Sequence, residues 1–175
     1  MTNLTTVRVA VGNCESMTAL KRSTERANSP AIIIGEYDET PRDFTVLDVS
    51  REMMLLGIIG IASYGVGIRP QHVVRDTTMM VGYNHQIAVI ELNPFTLCKQ
   101  VDLLSLFWEF ISLPTLPGVV TLCETAVVAV SDSGGILWRH DIDLVKTHQV
   151  CGRDLFLTFD DSPAWRIDLV SGRRL

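Results

Sequence analysis

The sequence predicts a mainly β protein, with antiparallel, hairpin-rich sheets in an open or sandwich-like stack and at most one or two short helices. Three observations carry that prediction. Short runs rich in β-branched and aromatic residues recur along the chain; turn-forming residues separate many of them; and the C-terminal hundred residues repeat themselves at offsets of 39 and 37 residues. With 175 residues, 47% of them apolar and 20% charged, the chain has material for a core without disulfides or metals.

In chain order, strands are expected at Val7 to Val11, Ala31 to Gly35, Phe44 to Val49, Thr78 to Val81, Ile87 to Leu92, Val119 to Cys123, Ala126 to Val130, Leu155 to Phe159 and Trp165 to Leu169. Turn chemistry lies between several of these, at Tyr37 to Asp43 with Pro41, at Asn93-Pro94, at Asp132 to Gly135 and at Asp160 to Pro163. Glu15 to Ala27 has good helix formers between Asn13 and the Asn28-Ser29-Pro30 breaker, and reads as a surface helix or a loop. Leu103 to Leu113 is apolar nearly all round and suits a helix by length or a strand by aromatic content.

Met53 to Ile68 is a 16-residue uncharged run, too short for the roughly 20 residues that cross a bilayer. It holds four glycines, each costing about 1 kcal/mol inside a helix, so two short buried strands turning near Ser63 to Gly65 are expected instead. The reading is one domain over residues 1–175, with an irregular N-terminal β part over 1–74, including the candidate helix 15–27, and a repeat over 75–175.

That repeat places a strand before a turn three times, at Ala88 to Thr96, Val127 to Gly135 and Ala164 to Gly172. The strand before each also recurs, as Met79 to Gly82, Val119 to Leu122 and Leu155 to Thr158. A third strand follows in two units, Leu97 to Val101 and Ile136 to His140. The period is that of one propeller blade. Val128-Ala129-Val130-Ser131-Asp132-Ser133-Gly134-Gly135-Ile136-Leu137-Trp138 and the shorter Arg166-Ile167-Asp168-Leu169-Val170-Ser171-Gly172-Arg173 give residues 75–175 a resemblance to the repeats of quinoprotein-like (PQQ-like) and WD40-like β-propellers. The resemblance implies that the hydroxyl or glycine makes the hairpin turn and that the Trp docks between neighbouring blades. A closed ring needs at least four such blades, so propeller-blade-like repeats in an open stack are expected. The last unit reaches Leu175 without a third strand, and an open sheet edge there would suit a homodimer.

Net charge is −5 and the pI 5.3, which leaves no basic field for nucleic acid. Cys14, Cys98, Cys123 and Cys151 are 84, 25 and 28 residues apart, matching neither paired zinc spacing nor a disulfide-dense module. Met1 to Gly12 lacks a charged n-region and an apolar h-region, so a cytoplasmic protein with reduced thiols is expected.

No motif demands catalysis, a metal or a cofactor. Cys123 with His140 and Asp132 is the one set that hairpin neighbours could assemble into a cysteine hydrolase, but Cys123 ends an apolar strand, where a thiol behaves as a small hydrophobe. His140 and His148, with Asp141, Asp143 and Cys151, make a loose metal set that competes with simple charge pairing on a solvated strand end. Asp132-Ser133-Gly134-Gly135 lacks GxSxG and P-loop spacing and reads as a hairpin turn. Trp108, Trp138 and Trp165 sit in apolar runs and read as packing groups before interface anchors.

The most distinctive polar stretch is Glu36 to Asp43, with four carboxylates, Tyr37 and Arg42; Asp160-Asp161 is a second acidic turn. Ordinary loop solvation competes with a docking role. The functional expectation is a non-enzymatic protein-binding module of immunity or inhibitor type, with Tyr37, Asp38, Glu39, Asp43, Asp160 and Asp161 facing a basic protein partner. A ligand- or cofactor-binding propeller-like domain is the alternative, and a cysteine hydrolase the third.

Overall fold

A computed structural model describes residues 6–25, 28–35, 40–65 and 67–175. The first sheet is built from β1 (Val7–Cys14), the helix α1 (Met17–Glu25), β2 (Ala31–Ile34), β3 (Asp43–Arg51) and β4 (Met54–Ser63). Its order is β1-β3-β4-β2, with β2 parallel to β4 and the other pairs antiparallel. Three antiparallel meanders follow. The second sheet holds β5 (Gln71–Val74), β6 (Thr78–Tyr83), β7 (Gln86–Leu92) and β8 (Phe95–Asp102). The third holds β9 (Phe107–Ile111), β10 (Gly118–Cys123), β11 (Ala126–Ser131) and β12 (Ile136–Asp141). The fourth holds β13 (Val145–Cys151), β14 (Asp154–Phe159) and β15 (Trp165–Asp168).

The sheets stack in chain order because their central strands are apolar on both faces. Met79, Val81 and Tyr83 of β6 and Ala88, Ile90 and Leu92 of β7 pack against Leu47, Val49, Ile59 and Ile61 of the first sheet. The intervening Met80, Ile87 and Val89 point the other way, onto Val119, Cys123, Ala126, Val128 and Val130 of the third. Val120, Leu122, Val127 and Ala129 then face Leu155, Leu157 and Ile167 of the fourth. This is the period-two alternation of a strand, used on both sides. It explains why these segments read as continuous apolar runs and not as alternating ones.

The nine strands expected in chain order are present, and each boundary between sheets carries a glycine under an aromatic ring. A Cβ on Gly57 would come within 2.2 Å of the Phe95 ring, one on Gly82 within 2.3 Å of Phe107, and one on Gly172 within 2.5 Å of Trp138. Trp138 therefore docks between the third and fourth sheets, as the propeller resemblance implies. The three tryptophans are half-buried against that same core. The repeat also governs turn chemistry. Ser131 Oγ accepts the Gly135 N–H at 2.9 Å, and its repeat equivalent Asp168 accepts from the Ser171 N–H at 2.7 Å and the Ser171 hydroxyl at 2.8 Å. Those bonds and the Arg153 guanidinium hold the Asp168 carboxyl down at about 2.

Several expectations change. Met53 to Ile68 is not two short strands: Met54 to Ser63 is one ten-residue strand, and the turn precedes it at Glu52-Met53, where both residues have positive φ (49° and 66°). A two-residue hairpin of this kind normally announces itself by Asn or Gly, and neither is present. Of the two readings of Leu103 to Leu113, the strand is the one found: a turn is followed by β9. The repeat begins at Gln71, before Arg75, because β5 is the first strand of the second sheet. The helix begins at Met17, two residues later than expected, with Ser16 as its cap: Ser16 Oγ accepts the Ala19 N–H at 3.2 Å; residues 26–27 of the expected span lie outside the described residues. Its buried Leu20 and Thr24 lie on Gly60 of β4, so α1 covers the outer face of the first sheet. At the other end, residues 173–175 return along β15, with Asp168 N–H donating to Arg173 O at 2.9 Å and Leu175 N–H to Arg166 O at 2.8 Å. That occupies part of the edge expected to lie open.

Candidate interaction surface

A concavity lies where the first two sheets part. Val7 and Val9 of β1 pack into the core between them, but Val11, two residues on and on the same face, is 61% exposed. Beyond it opens a cleft of about 520 Å³, lined by Val11, Asn13 and Cys14 of β1, Arg42 before β3, Asp43, Phe44 and Thr45 of β3, and Arg69-Pro70 leading into β5.

Several local devices hold these groups in place. The Arg42 N–H donates to Ser63 O at 2.8 Å, extending the β3–β4 ladder by one bond, and the Tyr64 N–H donates to Asn84 Oδ1 at 2.9 Å. The chain after β4 is thereby pinned to the β6–β7 turn. Gly65 follows at φ +67°, and a Cβ there would sit 3.0 Å from both Arg42 Cβ and Asp43 Oδ2. Only glycine combines that left-handed backbone with so close an approach. On the opposite wall, Pro70 restricts Arg69 to extended conformations, while Ile68 anchors the segment in the core between the second and third sheets.

The cleft brings together two guanidiniums, one carboxylate, the Asn13 amide and the Thr45 hydroxyl. Among the described residues, none of the three charged side chains makes an ion pair. Sequence reasoning counted Arg42 as a lone cation in an acidic loop and gave Arg69, Asn13 and Thr45 no role. Their signal is tertiary, since residues 13, 42 and 69 meet only when β1 pairs with β3 and the chain crosses to the second sheet.

Of the expected docking residues, Asp43 lines this cleft. Tyr37, Asp38 and Glu39 lie outside the described residues. Asp160 and Asp161 are in the β14–β15 turn on the fourth sheet, with two sheets between them and Asp43. Asp160 is paired with Lys146 at 2.6 Å, which offsets its charge, whereas Asp161 is exposed.

The cysteine hydrolase reading is overturned by which way the side chains face. Cys123 points into the core between the second and third sheets, and His140 pairs across the ladder with Val127, which faces the fourth. The two are on opposite faces of one sheet. Burial pushes the Cys123 thiol up to about 12, against a smaller opposing pull from Arg139, so it holds its proton and is no nucleophile. Asp132 points toward Arg75 instead, with a carboxylate oxygen 3.7 Å from its guanidinium. The proposed metal set disperses likewise. His140 contacts the Gly172 carbonyl, His148 pairs with Glu109, and Asp141 pairs with Arg139 at 2.7 Å. Among the described residues no cluster of three or more such groups is placed to hold a metal.

No family model and no curated protein matches the sequence. Solved structures do. The chain is similar to BamB from Moraxella catarrhalis at 12% identity and a TM-score of 0.48, over 83% of this chain and 50% of that one. It is similar to Sqt1 from Saccharomyces cerevisiae at 11% identity and a TM-score of 0.47, over 75% of this chain and 42% of that one. A europium-containing methanol dehydrogenase matches at 13% identity and a TM-score of 0.46, over 59% of this chain and 23% of that one. The chain thus spans half or less of the length of these proteins.

Proposed function

We propose that the chain is a non-enzymatic protein-binding module that engages its partner through the corner where the first two sheets part. The observation that supports this reading most directly is the cleft at Asp43, whose charged groups face solvent without internal ion-pair partners among the described residues. Elsewhere the facing sheet surfaces are spent on one another, leaving the outer face of the fourth sheet, edges and turns as surface. The finer reading is an immunity- or inhibitor-type protein that occupies a basic surface, with Asp43 continuing the acidic stretch Tyr37, Asp38 and Glu39, and Asp161 adding a second point of contact. Rim charges of this kind act mainly on association rate and its salt dependence.

The test is affinity capture from native lysate at low and high salt, comparing the wild-type chain with Asp38→Ala/Glu39→Ala/Asp43→Ala and with Asp160→Ala/Asp161→Ala. A stoichiometric protein partner whose capture is salt-sensitive and weakened by the first variant is expected, with little change in melting temperature because Asp43 is exposed. Equal capture by the wild-type chain and both variants would remove the acidic segments from the account.

A further inference from the structure

Beyond protein docking, which uses the same cleft at Asp43, we infer that the cleft between the first and second sheets binds a small ligand carrying a carboxylate or phosphate group, held by Arg42 and Arg69.

The argument starts from charge. The chain as a whole carries −5, yet this concavity is lined by two guanidiniums and one carboxylate. Among the described lining residues the two guanidiniums outnumber the one carboxylate, and Asp43 makes no ion pair with either arginine. Arg139 pairs with Asp141, Arg153 with Asp168 and Arg166 with Asp154, while Arg75 lies beside Asp132. Arg42 and Arg69 make no ion pair among the described residues, and they line the same cleft.

Geometry points the same way. A guanidinium offers five N–H donors in a rigid fork that matches the oxygens of a carboxylate or phosphate. Here two forks come from different walls, one on the lead into β3 and one on the lead into β5. The Asn13 amide and the Thr45 hydroxyl add neutral donors. Phe44, Val11 and Pro70 supply apolar surface around them. A volume of about 520 Å³ falls within the range of small-molecule sites. Asp43, fixed against Gly65, adds an acceptor that favours a ligand with a hydroxyl or ammonium donor beside its anionic group.

The test is an amide chemical-shift titration of the full chain with inorganic phosphate and, separately, with L-glutamate, repeated on Arg42→Gln, Arg69→Gln and the double variant. Saturable shifts at Asn13, Phe44 and Thr45 are expected with at least one probe, weakened about tenfold or more by each single substitution and lost in the double. Phosphate alone binding assigns a phosphoryl ligand, and glutamate alone a carboxylate ligand. Both arginines are exposed, so unchanged melting curves separate loss of the site from loss of the fold. The inference is overturned if neither probe shifts these amides up to about 10 mM, or if the shifts survive in the double variant. Failure here leaves protein capture by the acidic segments unaffected, since that reading is scored with other residues.

Discussion

Cys123 shows how a buried residue reports its surroundings. Its thiol lies between the second and third sheets and is fully shielded, and burial raises its proton affinity from an ordinary 9.0 to about 12. Below pH 9 the thiol is neutral in both folded and unfolded chains and its contribution is constant. Above 9 the unfolded chain releases the proton first, so stability falls as pH rises toward 12. The slope from this group is up to about 1.4 kcal/mol per pH unit. Urea denaturation between about pH 8 and pH 11 should show the wild-type chain losing stability faster than Cys123→Ala. Parallel decline of the two would mean that the thiol is not buried as described. Asp168 shows the opposite sign at an exposed turn. There four local hydrogen bonds favour the charged carboxylate, and their benefit disappears only as pH falls through about 2.

Among elements, the glycine beneath each aromatic ring sets how closely neighbouring sheets approach. Gly82 is the penultimate residue of β6 and has no positive φ, so substitution there tests packing alone. Gly82→Ala puts a methyl group where the Phe107 ring already sits, and overpacking of this kind costs about 1–3 kcal/mol. Gly172→Ala meets Trp138 and also a φ of +71°, which adds about 1–2 kcal/mol of backbone strain. Chemical denaturation should therefore rank Gly172→Ala as the more damaging. Pairing Gly82→Ala with Phe107→Leu should recover part of the loss, because the smaller side chain makes room; strictly additive losses would place the clash elsewhere. The helix works by the same close approach. Nine residues are too few to be stable in isolation, and α1 is held by Leu20 and Thr24 on Gly60.

For the whole molecule, stability passes from sheet to sheet through three cores, as in other stacked repeat architectures. The second and third sheets are covered on both faces. The outer face of the fourth is polar: Thr147 pairs with Thr158 at 2.6 Å, Arg166 with Asp154 at 2.6 Å, and the Arg166 guanidinium lies 5.6 Å from the Phe156 ring centre. Native-state hydrogen exchange should accordingly find β6, β7, β10 and β11 the most protected strands, with β13 to β15 opening at lower free energy. Uniform protection across all four sheets would show that the stack opens only as one unit.

What the sequence determined by itself is what local chemistry encodes. Strand-forming runs, turn residues and a period near forty residues made the hairpins legible, and the third strands Leu97 to Val101 and Ile136 to His140 followed from the repeat. Reading failed where the local signal was weak. The turn at Glu52-Met53 lacks turn residues, the short β5 carries little pattern, and β13 is so exposed that its apolar content says nothing. Only the tertiary structure decided the rest. It put Cys123 and His140 on opposite faces of one sheet, laid α1 over Gly60, and brought Asn13, Arg42 and Arg69 to one cleft. Facing and long-range proximity depend on register and on which sheet stacks on which. A one-residue slip reverses a strand's faces while leaving its composition unchanged, so composition alone cannot contain that information.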